Sequence, residues 1–185
     1  MVKSKLYSKI IFSESILQEL IKLTEQYDKD KIFLATENNV NQLWGTDFIK
    51  SIEELVENKI VISSGEENKK IDSVAEIWDF LSKSGADRKS LLINLGGGML
   101  TDLAGFAAST FKRGIDFMNI PTTLLSQVDA SVGGKTGINF NGLKNEIGTF
   151  QEPIAVIINT IFLKTIDRKN FLSGDRKSVV YGKRV

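Results

Sequence analysis

The stretch Leu91-Leu92-Ile93-Asn94-Leu95-Gly96-Gly97-Gly98-Met99-Leu100-Thr101-Asp102 constrains this chain more than any other. An apolar run of strand length breaks into three glycines and then into a segment suited to a helix. Strand, tight turn and helix in that order are the unit of an α/β domain. Glycine has no Cβ, so backbone can approach a ligand closely there, and the free N–H groups of the following helix start favour an anion. The pattern predicts a phosphate cradle. It departs from the dinucleotide fingerprint G-x-G-x-x-G, which would place glycine where Thr101 stands, so a plain strand-to-helix turn is the competing reading.

A second glycine cluster follows, Gln127-Val128-Asp129-Ala130-Ser131-Val132-Gly133-Gly134-Lys135-Thr136-Gly137, with Gly142-Leu143-Lys144-Asn145 close behind. It mimics G-x-x-x-x-G-K-[ST], but Asp129 occupies the place of the first glycine and would set a carboxylate where phosphate must meet backbone. Two lysines, an aspartate and an asparagine at this spacing instead suit a small phosphorylated polar ligand; a solvated hairpin with incidental lysines is the bland alternative. Asn141-Gly142 is a hairpin turn signal after a short extended piece at 136–140.

Strand candidates at 31–35, 59–62, 91–95, 117–120 and 155–158 alternate with helical stretches, which predicts an α/β domain with a mainly parallel sheet. The clearest helix covers 71–81, with Ile71, Val74, Ala75, Trp78 and Leu81 forming one apolar face and Trp78 assigned to the core. Such sheets bind ligands beyond the carboxyl ends of their strands, and each polar or glycine-rich cluster here follows a strand candidate. Thr122-Thr123 after Pro121 reads as a helix N-cap.

The chain has 185 residues, 42% of them hydrophobic, enough for one good core. A net charge of +1 argues against nucleic acid. Neither cysteine nor histidine occurs, so thiolate catalysis, disulfides and imidazole ligands are excluded, and any metal held by this chain alone would need oxygen ligands. No apolar run reaches the roughly 18 residues of a membrane span, and the N-terminus does not read as a signal peptide, so the expectation is a cytoplasmic protein with no membrane partner.

The run from Gly96-Gly97-Gly98 through Thr101-Asp102-Leu103-Ala104-Gly105-Phe106 to Lys112-Arg113-Gly114, and Ile120-Pro121-Thr122-Thr123-Leu124-Leu125-Ser126-Gln127-Val128-Asp129 through Gly133-Gly134-Lys135-Thr136-Gly137, resemble 3-dehydroquinate synthase. The likeness extends to Ser64-Gly65-Glu66-Glu67-Asn68-Lys69, Gly142-Leu143-Lys144-Asn145 and Phe162-Leu163-Lys164-Thr165, and covers nearly all of the chain to Gly174. It implies a Rossmann-like, mostly parallel sheet with flanking helices, forming an NAD-binding domain over 1–174. Cofactor contacts would come from Ser64, Gly65, Glu66, Glu67, Asn68 and Lys69 after one strand, and from Gly97, Gly98, Met99, Leu100, Thr101 and Asp102 at the glycine turn. Thr122, Thr123, Lys135, Lys144, Phe162, Leu163, Lys164 and Thr165 would join them, with Glu37 and Asn39 on the adenosine half. Lys135 and Asn145 would steady substrate oxygens or phosphate, Asp129 would orient the reacting carbon, and Arg113 would grip substrate phosphate across a homodimer interface.

The implied reaction cyclises a phosphorylated seven-carbon sugar acid, 3-deoxy-D-arabino-heptulosonate 7-phosphate, to 3-dehydroquinate with loss of phosphate, in the shikimate pathway. NAD acts there as a recycled catalyst. Alternatives are another sugar phosphate cyclase, such as 2-deoxy-scyllo-inosose synthase, or an NAD-binding module without catalysis. The family's divalent metal, zinc or cobalt, is held by a helical C-terminal domain and by a glutamate expected at position 177, where this chain has Lys177. Residues 175–185 lack Ile, Asn and Phe and resemble translated sequencing adapter, so they are expected to be non-native and the chain, as written, inactive.

Overall fold

The computed structural model describes residues 9–45, 48–131 and 133–165. Its strands are β1 (Lys9–Phe12), β2 (Ile32–Glu37), β3 (Asn58–Ile62), β4 (Leu91–Gly96), β5 (Asp116–Pro121), β6 (Lys135–Phe140), β7 (Leu143–Phe150) and β8 (Ala155–Ile158). The helices are α1 (Ile16–Thr24), α2 (Asn38–Trp44), α3 (Phe48–Glu53), α4 (Ile71–Lys83) and α5 (Gly98–Thr110). Six strands form one sheet in the order β1-β8-β5-β4-β2-β3, every neighbouring pair parallel. β2 and β4 are buried along their whole length, as strands covered on both faces must be, which explains their continuous apolar runs.

Strand alternation divides the core in two. Phe33, Ala35, Leu92 and Phe117 face α4, α5 and Ile138 of β6, while Leu34, Ile93, Leu95, Met118 and Ile157 face the side of α1, α2 and α3. On that second side Trp44, Phe48 and Phe162 meet edge to face, with centroids 5.3 to 6.4 Å apart. The chain steps outward from β2 to β3 and then returns to lay β4 and β5 on the other side of β2. The switch point of the sheet therefore lies between β2 and β4, where a crevice opens beyond the carboxyl ends.

The structure corrects the expected face of α4. Ser73, Val74, Ile77 and Leu81 are buried, while Ile71 is 43% exposed and Ala75 faces solvent. Ile71 is the first residue of the helix, ahead of the turn that packs, and Ile77 extends the stripe that Val74 and Leu81 begin. Trp78 packs against the core as expected, its Nε1–H donating to the Ala107 carbonyl at 3.0 Å. β6 and β7 make the expected antiparallel hairpin around Asn141 (φ 49) and Gly142 (φ 78), the left-handed pair that a two-residue hairpin turn requires. Because Lys135 and Thr136 open a strand and not a helix, the P-loop pattern is not realised. Among the described residues no helix is long and apolar enough to cross a membrane.

Candidate cofactor and substrate site

β4 ends at Gly96, α5 starts at Gly98, and the residue between them, Gly97, is extended and offers no side-chain cap. The first turn of α5 thus keeps its N–H groups for something other than its own cap. A Cβ on Gly96 would lie 2.5 Å from Leu100 Cδ2 and 2.9 Å from Glu37 Oε1; one on Gly97 would lie 3.2 Å from both Glu37 Oε1 and Thr123 Cγ2. Only glycine leaves this cradle open. Glu37, at the end of β2 and 5% exposed, accepts the Gly97 N–H at 2.6 Å. Burial raises its carboxyl above the ordinary range, and the Gly97 N–H works against that rise. A carboxylate beside a glycine turn at the switch point is where doubly wound sheets hold ribose hydroxyls.

Lys69 joins three segments. Gly65 (φ 108) bends the chain out of β3 into the short turn Glu66–Asn68, and Lys69 follows, 3% exposed. Its Nζ lies 2.5 Å from Asp102 Oδ2 on α5 and 2.5 Å from Asn145 Oδ1 on β7. Desolvation raises the Asp102 carboxyl and outweighs the Lys69 ammonium, which pulls it down. Asn145 reaches Lys69 because the hairpin register shifts near Ile138 and Phe140 and because Asn145 itself is left-handed (φ 53). Asn139 braces the arrangement: its Oδ1 accepts the Asn145 N–H at 2.9 Å, and its Nδ2 donates to Glu66 Oε1 at 2.9 Å.

Beside this hub opens a cavity of about 490 Å³, lined among others by Asp102, Asp129, Lys135, Asn145, Thr149 and Phe150. Asp129 comes from a π-helical turn, Ser126–Ala130, that follows β5. Thr123 caps the start of that segment, its Oγ1 accepting the Ser126 N–H at 3.3 Å, while the buried Gln127 Nε2 donates to the Pro121 and Asn159 carbonyls at 3.2 and 3.1 Å. The N-cap reading of Thr123 is realised, and the same residue walls the glycine turn. Carboxylates, an ammonium and a carboxamide around one cavity suit a ligand rich in hydroxyls with an anionic group.

The structure brings Glu37, Gly97, Gly98, Thr122 and Thr123 to one crevice, and Lys69, Asp102, Asp129, Lys135 and Asn145 to the adjoining hub and cavity. Thr122 is tied to the turn by its N–H on the Gly96 carbonyl at 2.9 Å. Other predicted residues serve differently. Leu100 and Phe162 are buried in the two cores, and the half-buried Met99 packs on the first. Asn39 accepts the Val40 N–H at 2.7 Å beside Ser64, whereas Lys144 and Lys164 are exposed and Leu163 and Thr165 lie on the turn Thr160–Thr165. Arg113 follows the far end of α5, about 18 Å from Gly98 at 1.5 Å per residue, and its backbone is left-handed (φ 73). Sequence reading missed Asn38, whose Oδ1 accepts the Ser64 N–H at 2.8 Å and ties the ends of β2 and β3; its only signal was its place between Glu37 and Asn39. It also missed Thr149 and Phe150, which the hairpin pattern could have placed on the cavity wall.

Among the described residues no group of three or more Asp, Glu, His or Cys side chains could hold a metal ion. The position of Lys177 and the tail 175–185 lie outside the described residues.

Residues 59–173 match the family described as 3-dehydroquinate synthase N-terminal. The chain belongs to this family. It is 46% identical over 175 residues to the 3-dehydroquinate synthase of Parabacteroides distasonis, covering 94% of this chain and 49% of that protein. It is 45% identical over 174 residues to the 3-dehydroquinate synthase of Pyrococcus furiosus, covering 94% of this chain and 51% of that one. The chain therefore spans about half the length of these curated relatives. Among solved structures it resembles the 2-epi-5-epi-valiolone synthase ValA of Streptomyces hygroscopicus with NAD+ and Zn2+ bound, with a TM-score of 0.81, 28% identity, and coverage of 94% of this chain and 49% of that chain.

Proposed function

We propose that this chain is the dinucleotide-binding half of a 3-dehydroquinate synthase, converting 3-deoxy-D-arabino-heptulosonate 7-phosphate to 3-dehydroquinate and phosphate in the cytoplasm. The observation that carries this reading is the 46% identity to a named synthase over 94% of the chain, across the residues that build the crevice and cavity. The glycine cradle, which a Cβ would fill, fits a dinucleotide's pyrophosphate against the start of α5. Bound there, NAD+ would supply reversible hydride transfer.

This chain's own residues then divide the work. Glu37 offers an acceptor for ribose hydroxyls, and Lys69 holds Asp102 and Asn145 in place beneath the cavity. Lys135 presents a cation to the substrate's anionic end, and Asn145 donates through its carboxamide. Asp129 faces the cavity as a carboxylate able to accept a hydroxyl proton and orient the carbon that bears it. Arg113, remote from the glycine turn, suits a role across a homodimer interface. The described residues do not fit a divalent metal, so no step is assigned to one on this chain. The domain boundary is placed at 174, with 175–185 outside the native domain.

Joined to the C-terminal half of the Parabacteroides distasonis synthase and supplied with NAD+ and Zn2+, the chain is expected to release phosphate from the heptulosonate phosphate, and alone to release none. Asp129→Asn in the joined protein is expected to lower kcat by about 100-fold while NAD+ affinity holds. A joined protein that binds NAD+ yet releases no phosphate overturns the assignment.

A further inference from the structure

Asn94 and Asn119 stand opposite each other in the register of β4 and β5, inside the sheet. Alternation turns both side chains toward the α5 face, with Leu92 and Phe117. Asn94 is 0% and Asn119 3% exposed, and neither lines the cavity. They form a bridge: Asn94 Nδ2 donates to Asn119 Oδ1 at 2.9 Å, and Asn119 Nδ2 donates to the Ser131 carbonyl at 3.4 Å. Ser131 closes the turn that carries Asp129, its N–H donating to the Ser126 carbonyl at 3.1 Å.

At the two ends of this bridge, Asn94 Oδ1 and Ser131 Oγ are buried without a hydrogen-bond partner among the described residues. A partly satisfied buried polar pair is worse for folding than an aliphatic pair of similar volume in the same sheet. The bridge is thus a poor device for stability. It is a good one for geometry, because it links the sheet directly to Ser131, the residue that follows the turn, and fixes where that turn ends. We propose that Asn94 and Asn119 are positioning residues that hold the Ser126–Ala130 turn, and with it Asp129, at the edge of the cavity, at a cost in folding stability.

The importance of Asp129 rests on the synthase reading, but the bridge can be tested without cofactor or substrate, so failure of one is distinguishable from failure of the other. The test compares the 185-residue chain with Asn94→Val/Asn119→Val, recording the urea unfolding midpoint and amide hydrogen exchange. The midpoint is expected to stay or rise. The Gln127 and Ser131 amides, both hydrogen-bonded in the turn, are expected to exchange about tenfold faster while those of β4 and β5 keep their rates. Asn119→Gln, which retains donor and acceptor, is expected to leave the turn protected. Unchanged exchange at Gln127 and Ser131, acceleration shared equally by the sheet, or a double variant that unfolds each overturns the proposal.

Discussion

At the scale of single residues, two carboxyls of the site, Glu37 and Asp102, are buried at a cost to their charged forms. Glu37 is almost sequestered, with one N–H donor and a carboxyl that burial raises above the ordinary glutamate value of 4.5. The folded state thus favours the protonated form more than the unfolded chain does. Folding takes up protons between 4.5 and the raised value, and stability falls as pH climbs through that window. Asp102, raised above the ordinary aspartate value of 3.8 chiefly by burial, contributes in the same sense. Glu37→Gln keeps an acceptor for the Gly97 N–H and removes the buried charge, so it is expected to stabilise the chain at pH 7 by about 1 kcal/mol and to flatten part of the pH dependence of the urea midpoint. A wild-type midpoint that rises from pH 4.5 to 7 and is unaffected by the substitution would contradict this. Lys69→Met leaves Asp102 and Asn145 facing each other without their shared donor, and a loss of roughly 3 kcal/mol in urea unfolding is expected from breaking so buried a pair.

At the scale of elements, the hairpin is the least obvious and most consequential part. It packs on α5 through Gly105, where a Cβ would come within 2.7 Å of Thr136 Cγ2, and through a hydroxyl ladder from Ser109 to Thr149 to Thr136 with both steps at 2.7 Å. Gly105→Ala is therefore expected to destabilise by about 1–3 kcal/mol and to speed exchange of the β6 and β7 amides more than those of the sheet. Equal effects on hairpin and sheet would show that the contact does not place the hairpin.

The turn of this hairpin was legible, because Asn141-Gly142 spells a left-handed pair. Its bulge was not, since Asn145 tolerates the left-handed region but has no adjoining glycine to mark it as a turn. β2 to β5 and β8 were legible from short apolar runs between polar breaks, to within a few residues. β1 was missed, because four residues of KIIF carry no periodicity and find their place only by pairing with the distant β8. At Phe162, a motif position read as a cofactor contact, the ring belongs to an aromatic cluster of the core, a packing role that the motif did not signal.

At the scale of the whole molecule, the sheet order puts the glycine turn and Glu37 on adjacent strands at the switch point, and α5 runs from that turn past the cavity. Residues far apart in sequence, Glu37, Lys69, Asp102, Asp129 and Asn145, converge because consecutive strand ends open on the same side of the sheet. The resemblance to the synthase family named these five among other residues, and the fold explains why these five meet, while Arg113 lies beyond the far end of α5. The proposed function requires that this gathering be a dinucleotide site.

The most direct measurement is calorimetric titration of the 185-residue chain with NAD+, alongside Gly97→Val, whose side chain would fill the cradle between Glu37 and Thr123. Saturable binding by the wild-type chain at one site, weakened at least about tenfold in a Gly97→Val chain that still unfolds cooperatively, is the predicted result. Binding that Gly97→Val leaves unchanged, or a folded wild-type chain with no affinity for NAD+, would contradict the account.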